Sequence, residues 1–336
     1  AEQWYRDYLA WFSDKPDAAE MNFQLAELLY DHGHYQLAWD EYERTAWSRG
    51  SHARTTAAAL GAQHASAKVL QLADTAQQPA LTKRATAGAL RFVASYPAHR
   101  AAPGLLVRSG TVLLEQQQYD RALNSSEQVI AATSASTDLR QVAWSLRAQA
   151  LFAIADYAGA AAAYREALQL ASKDDERRPA LQAGLASATY QQASQALASG
   201  DLHRAAVLYR QTAQLTPDPA IQSTALFDAA TTLLAIESWP EAVELLQQYR
   251  NDHPDAPLQG AATQKLAYAY ERSGAYSTAA DEYLRLARDQ RQPQALQREA
   301  LLRAAELYRQ TGATQRAILA SERYLQRFPE PAAVAV

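Results

Sequence analysis

A short pattern recurs eight times along this chain, and it constrains the fold more than any other feature. In its fullest copies a Gly or Ala is followed two residues later by an aromatic residue and three residues after that by an alanine, as in Gly274, Tyr276 and Ala279, and the other copies keep the alanine. The copies end at residues 38, 85, 122, 160, 205, 242, 279 and 317, and the copy at 85 is the weakest. Successive ends lie 47, 37, 38, 45, 37, 37 and 38 residues apart. A near-constant period in this range predicts a solenoid of stacked helix pairs.

Within one copy, the apolar residues have the spacing of two helices. Trp144, Ala148 and Leu151 are four and three residues apart, which places them on one face of a first helix. Ala160 and Tyr164 continue the same spacing on a second helix after a turn. Alanine at 148 and 160 predicts that the two helix backbones approach closely, because a larger side chain there would force them apart.

Glycine marks the end of the first helix in four copies. Gly33, Gly200, Gly274 and Gly312 all stand immediately before the second helix. Glycine adopts the left-handed conformation of a helix C-terminal cap without steric cost. The sequence therefore predicts left-handed backbone at these four positions.

Composition supports an all-helical fold and excludes several kinds of site. Alanine, leucine and glutamine dominate the 336 residues, and the formal charge of −4 is too small to suggest a nucleic-acid-binding protein. The chain has no cysteine, which excludes disulfides and thiolate metal sites and fits an oxidising compartment. No apolar run approaches the roughly 20 residues of a membrane span, and no cofactor motif is present.

The repeat resembles that of the tetratricopeptide repeat family, and the resemblance covers nearly the whole chain. It implies an all-α fold: a right-handed superhelical solenoid of about eight antiparallel helix pairs. We expect one solenoid over residues 1–336, with an N-terminal helix and first repeat in 1–46, a divergent repeat in 47–103, and regular repeats in 104–170 and 180–330. Neither end resembles a terminal cap, so we expect the chain to be a fragment of a longer protein.

Two stretches depart from the regular repeat. In the divergent region, helices are predicted at about 53–72 and 81–95, separated by a linker that contains Pro79. A charged stretch at 172–179 lengthens another copy.

Several second helices end in an aromatic residue or histidine followed by proline, which stops a helix. The endings are Tyr96-Pro97, His253-Pro254 and Phe328-Pro329, with Phe12 and Pro16 near the start. Together with the 37–38 spacing, they resemble tetratricopeptide proteins of the Gram-negative envelope, of the Tol-Pal coordinator and β-barrel assembly lipoprotein type. This resemblance implies a periplasmic location and a partner in an envelope complex or an outer-membrane assembly.

The resemblance also implies where a partner binds, because first helices of this family line a concave groove. The expected groove positions carry aromatic and apolar residues more than the Lys, Asn and Arg that clamp acidic chaperone tails, so that function is not expected. Aromatic side chains on such a surface are typical anchors for a helix or an extended peptide, although they also suit packing against the neighbouring helix. The predicted partner-binding residues are Phe23, Tyr30, Phe152, Tyr190, Phe227, Tyr268, Arg272 and Arg309.

No catalytic constellation stands out, and we expect no enzyme activity and no bound metal. His32, His34 and Asp31 are close in sequence, but ligands on one short turn seldom hold a metal unaided. Glu27 with Asp31 is the nearest approach to a carboxylate pair facing the groove.

Charge is polarised along the chain. Residues 1–46 hold ten acidic and three basic residues, and residues 272–327 hold ten arginines and six acidic residues. The polarity suggests a head-to-tail contact between copies, but two differently charged solvated faces explain it equally well. The oligomeric state is therefore left open.

Three functional readings remain. The first is a non-enzymatic scaffold in the bacterial cell envelope that binds a protein or peptide partner in its groove. The second is the periplasmic arm of an outer-membrane polysaccharide or protein export protein, which recruits synthesis or modifying enzymes. The third is a cytosolic peptide-binding regulatory module.

Overall fold

The computed structural model describes residues 1–328, and every regular element in that range is an α-helix. The chain divides into two compact units, unit 1 (Ala1–Arg178) and unit 2 (Pro179–Val336). Unit 1 contains α1 (Glu2–Trp11), α2 (Ala18–Asp31), α3 (Tyr35–Ser48), α4 (Thr55–Leu72), α5 (Gln78–Ser95), α6 (Ala102–Glu115), α7 (Tyr119–Ala131), α8 (Thr137–Ala153) and α9 (Tyr157–Leu170).

Unit 2 begins within the first turn of α10 (Arg178–Ala198). Its other helices are α11 (Leu202–Leu215), α12 (Pro219–Ala235), α13 (Trp239–Asp252), α14 (Gln259–Arg272), α15 (Tyr276–Arg288), α16 (Gln294–Gln310) and α17 (Thr314–Arg327). After α1, the helices of the described range form eight consecutive pairs, from α2 with α3 to α16 with α17. The predicted fold class, an all-α array of antiparallel helix pairs, is confirmed.

The same turn joins the two helices of seven pairs. In the first pair, the backbone N–H of His34 donates to the carbonyl of Leu29 at 2.9 Å, and Gly33 has φ +78°. A left-handed residue enclosed by this six-residue bond is the Schellman cap of a helix. Left-handed backbone is confirmed at all four predicted glycines, and the structure adds three non-glycine residues in the same conformation: Gln117 (φ 59°), Ala155 (φ 61°) and Glu237 (φ 60°).

The repeated alanine is where the two helices of a pair touch. Ala148 and Ala160 are both fully buried, as the sequence predicts for a close approach of α8 and α9. In six other copies the equivalent alanine has 0 to 9% of its surface exposed: Ala38, Ala122, Ala205, Ala242, Ala279 and Ala317. Larger side chains fill the space between pairs, among them Trp39, Phe92, Tyr249 and Tyr308.

The two irregular stretches differ in detail from the prediction. Pro79 lies in the first turn of α5 and not in a linker, because a helix tolerates proline there, where the backbone N–H has no acceptor in any case. α10 is 21 residues long and also takes Pro179 into its first turn. The helix stops at the aromatic-proline endings are confirmed, since α5 ends at Ser95 and α13 at Asp252. Pro329 lies outside the described residues.

Candidate functional site

The first helices of unit 2, α10, α12, α14 and α16, are joined side by side by polar contacts. Tyr190 of α10 donates a hydrogen bond to Asp228 of α12 at 2.7 Å. The ammonium of Lys265 on α14 lies 5.8 Å from the ring centre of Phe227 on α12. These links create one continuous surface, the first-helix face of unit 2, which carries Tyr190, Phe227, Tyr268 and Leu302.

A third contact joins α14 to α16 across this face. Arg303 donates from Nε to Glu271 at 3.1 Å, and a second nitrogen of the same guanidinium contacts the other carboxylate oxygen of Glu271. Arg303 also donates to Glu306 at 2.5 Å. The guanidinium lowers the pKa of Glu271, so Glu271 stays ionised at neutral pH.

Tyr268 is the most exposed of the predicted aromatic anchors, at 45% of its surface. Its ring meets the ring of Trp239 edge to face, with centroids 5.8 Å apart and an interplanar angle of 80°. The guanidinium of Arg272 lies 5.5 Å from the Trp239 ring centre and 3.9 Å from a carboxylate oxygen of Glu237. Two predicted site residues, Tyr268 and Arg272, are thus brought together and exposed.

A cavity of about 400 Å³ lies beside Tyr268, between α14 and α16. Its apolar wall includes Leu302, which is 48% exposed, and the half-buried Leu296 and Tyr283. Burial raises the pKa of Tyr283, whose hydroxyl donates to Glu271 at 3.1 Å. The cavity therefore combines an apolar wall with fixed charges, the composition of a surface that receives a side chain.

The other predicted residues of unit 2 are less available. Tyr190 and Phe227 are half-buried, and each packs on a tyrosine of its own pair: Tyr190 on Tyr209 at 5.1 Å and Phe227 on Tyr249 at 5.6 Å. Arg309 is exposed on α16. The rings of Tyr190 and Phe227 each partly face the second helix of their own pair, so these two aromatic residues support the surface more than they project from it.

The predicted residues of unit 1 lie closer to the core. Phe23 is only 8% exposed, and its ring packs against Tyr42 at 5.9 Å. Tyr30 and Phe152 are half-buried, and Phe152 contacts Tyr157 at 5.1 Å. Partner contact by these three residues stays a prediction, and Phe23 has little surface left to offer.

Sequence reasoning missed several residues that shape this face. Trp239 fills the aromatic position of the repeat, and its ring packs against Tyr268. Leu296, Glu299 and Arg303 lie on α16 and reach the cavity. A signal was available for Arg303, because it occupies the same repeat position as Lys265 and Asp228, each of which contacts the preceding first helix.

The residues considered for chemistry at the sequence level lie in the last turns of α2 and in the turn that follows it. Glu27 accepts a hydrogen bond from Tyr42, and Asp31 lies exposed at the end of α2. The imidazole of His32 contacts the carbonyl of Leu28 at 2.7 Å. In residues 1–328, no three His, Cys, Asp or Glu side chains are grouped so that they could hold a metal. Over the same range, no helix is long and apolar enough to cross a bilayer.

Three solved structures are among those similar to this chain. MamA AMB-1 is 17% identical, with a TM-score of 0.35, over 59% of this chain and 96% of its own. BtubC from P. vanneervenii is 16% identical, with a TM-score of 0.34, over 66% and 96% of the two chains. The P58(IPK) TPR domain is 15% identical, with a TM-score of 0.28, over 93% and 84%. A search of curated protein sequences found no significant match.

Family models give a more specific result than the structural neighbours. Three tetratricopeptide repeat models match residues 107–175, 196–266 and 299–331, which together span about half of the chain. The matches fall on both units. This chain therefore belongs to the tetratricopeptide repeat family, whose members typically act as non-enzymatic scaffolds for protein–protein interaction.

Proposed function

We propose that this protein is a non-enzymatic scaffold that binds a partner polypeptide on the first-helix face of unit 2. The observation that carries the proposal is the exposure of Tyr268 and Leu302 on either side of a cavity of about 400 Å³. A partly exposed tyrosine and leucine beside a preformed cavity gain more from burial against a partner than scattered surface residues do.

The shape of the exposed strip favours a polypeptide over a small molecule. The strip runs from Trp239 across Tyr268 to Leu302 and therefore spans three successive helix pairs. A helix or an extended segment presents side chains at intervals that match such a strip. Arg303, fixed by two carboxylates, gives this face a rigid polar centre.

We further propose that the partner is a component of the Gram-negative cell envelope and that the scaffold acts in the periplasm. Support comes from the helix endings, in which Tyr96 and His253 cap α5 and α13 and proline follows directly. The 37–38 residue period, together with these endings, resembles that of envelope scaffolds.

A differential capture experiment tests both parts of the proposal. The parent chain, a Tyr268→Ser/Leu302→Ser variant and an Ile318→Ser/Leu325→Ser variant are immobilised and exposed to Gram-negative envelope and cytosolic extracts. The last variant is the matched control, because Ile318 and Leu325 are 52% and 64% exposed but lie on the second helix α17.

We expect an envelope protein that is captured by the parent and the control and lost with the first-helix variant. Equal capture by all three proteins would contradict binding on this face. Selective loss that occurs with the cytosolic extract alone would keep the scaffold function and contradict the envelope assignment.

A further inference from the structure

The cavity between α14 and α16 is lined by more negative than positive charge. Among the described residues that line it are three glutamates, Glu271, Glu299 and Glu306, and one arginine, Arg303. Arg303 contacts both Glu271 and Glu306, so it is shared between two carboxylates. Glu299 is exposed at the rim. The cavity therefore keeps a surplus of carboxylate charge.

The neighbouring basic residues make their direct contacts outside the cavity, although the charge of Arg272 helps to lower the pKa of Glu271. Lys265 lies over the ring of Phe227, and Arg272 lies over Trp239. Arg298, next to Glu299 in sequence, donates to the hydroxyl of Tyr324 on α17 at 3.0 Å. The side chains of these three basic residues contact other groups and are not among those that line the cavity.

An apolar wall lies against the same carboxylates. Leu302 and Tyr268 are about half exposed, and Leu296 is half-buried beside them. A purely apolar ligand would fit the wall but would gain nothing from the electrostatic attraction of the carboxylates. A ligand that matched both would place an apolar side chain against Leu302 and a positive charge near Glu299 and Glu306.

We infer that this cavity selects a polypeptide segment in which an aromatic or aliphatic side chain is flanked by lysine or arginine. The inference rests on the proposed function, because it names the chemistry of the partner for the same face. The apolar side chain supplies most of the affinity, and the flanking cations supply selectivity, since exposed charges steer association and discriminate between partners.

Peptide binding to the full chain tests the inference. Three fluorescein-labelled peptides of equal length are used: one with a central phenylalanine flanked by lysines, one with the same phenylalanine flanked by glutamates, and one with a central serine flanked by lysines. Dissociation constants are measured by fluorescence anisotropy at low and high salt. We expect the lysine–phenylalanine peptide to bind at least about tenfold more tightly than either of the others, and to weaken as salt rises.

Variants locate the binding and separate charge from packing. Glu299→Gln/Glu306→Gln is expected to weaken the lysine–phenylalanine peptide about five- to tenfold, and Leu302→Ser is expected to remove most of its binding. Glu244→Gln is the matched control, because Glu244 is exposed on the second helix α13 and its loss removes charge away from the cavity. Circular dichroism confirms that each variant is folded.

The following outcomes would overturn the inference. Equal binding of the lysine and glutamate peptides, or no change with Glu299→Gln/Glu306→Gln, would overturn the inferred charge selectivity while leaving the face as a binding site. Failure of all three peptides to bind would also overturn it, and the capture experiment would then judge the proposed function separately. Self-association that Leu302→Ser abolishes would identify a second copy as the occupant and likewise overturn the inference.

Discussion

The hydroxyl of Tyr190 lies 2.7 Å from the carboxylate of Asp228 and donates a hydrogen bond to it, which links α10 to α12. Burial raises the pKa of Asp228 above its ordinary value of 3.8, although the bond from Tyr190 acts in the opposite direction. Burial also raises the pKa of Tyr190. The same bond therefore supports the first-helix face and places a carboxylate in surroundings that disfavour its charge.

This relationship predicts a pH-dependent effect of Asp228→Asn. A carboxyl with a raised pKa in the folded protein binds its proton more tightly when folded, so its stabilising contribution is present at low pH and is lost as the pH rises through the folded pKa. Asparagine keeps an oxygen acceptor for Tyr190 without the charge. We expect Asp228→Asn to raise Tm at pH 7 by on the order of 2 °C, with a smaller difference at pH 4.

Thermal unfolding monitored by circular dichroism at both pH values measures this effect. Asp228→Ala serves as the control, because it removes the acceptor together with the charge and should lower Tm. A lower Tm for Asp228→Asn than for the parent at pH 7 would show that the ionised carboxylate stabilises the fold.

The three non-glycine residues in left-handed turns predict stabilising substitutions. Ala155 and Gln117 occupy the cap position that is glycine in four other copies, and a left-handed conformation costs a non-glycine residue about 1–2 kcal/mol. Substitution with glycine removes this cost, but part of the gain in stability is offset because glycine is more flexible in the unfolded chain. We expect Ala155→Gly to raise the free energy of unfolding by about 0.5–1 kcal/mol in urea titrations.

The reverse substitution at Gly274 provides the matched test. A Cβ added there would meet no other atom within 4 Å, so any change reflects the backbone alone. Gly274→Ala should lower the free energy of unfolding by about 1 kcal/mol. Equal stability of both variants and the parent would indicate that these turns relax out of the left-handed region.

A largely buried ion pair joins the second helices α13 and α15. Arg250 donates to both carboxylate oxygens of Glu282, at 2.5 and 3.2 Å, and Glu282 is only 7% exposed. Removing Arg250 leaves the buried carboxylate of Glu282 with Arg285, at 3.4 Å, as its remaining partner. Arg250→Met should therefore reduce the free energy of unfolding by about 3 kcal/mol.

The double variant Arg250→Met/Glu282→Leu distinguishes a buried-charge penalty from lost packing. Because it removes the stranded carboxylate, it should be more stable than Arg250→Met alone in chemical denaturation. A double variant that is less stable than the single variant would show that packing around the pair determines the cost.

A close contact between α6 and α8 predicts that unit 1 is sensitive at Gly110. A Cβ at this position would overlap with the side chain of Leu146 and lie 3.3 Å from the Cβ of Ser125. Gly110→Ala should destabilise the protein by about 1–3 kcal/mol, because α8 must shift or Leu146 must change rotamer.

Gly104 on the same helix is the matched control. A Cβ there would meet no other atom within 4 Å, so Gly104→Ala should stabilise the protein by about 0.5–1 kcal/mol through helix propensity alone. Calorimetric unfolding compares the two variants directly. A stabilising effect at both glycines would show that the approach of α6 to α8 is looser than described.

The repeat is predictable from the sequence because it depends on local chemistry. The left-handed turn at Gly33 and the buried alanine at 160 follow from residue type and spacing alone. The turn at Gln117 was less predictable, because the surrounding hydrogen bonds impose the conformation on a residue that does not favour it.

The candidate site was only partly predictable, because exposure depends on neighbours that are far away in sequence. Phe23 and Tyr268 both sit at expected groove positions, yet Phe23 is covered by Tyr42 and Arg54 while Tyr268 stays about half exposed. The net charge of the cavity depends on which neighbouring basic side chains contact residues outside it. Repeat spacing places Lys265 beside the preceding first helix, but it does not reveal that the ammonium lies over the ring of Phe227.

Site-specific photocrosslinking on intact cells that express the chain tests directly whether a partner binds the first-helix face. A photoreactive phenylalanine analogue replaces Tyr268 on the first-helix face or, as the matched control, the exposed Gln248 on the second helix α13. We expect a discrete crosslinked partner from position 268 and none from position 248. A partner crosslinked from 248 and absent from 268 would contradict it and place recognition on the second helices.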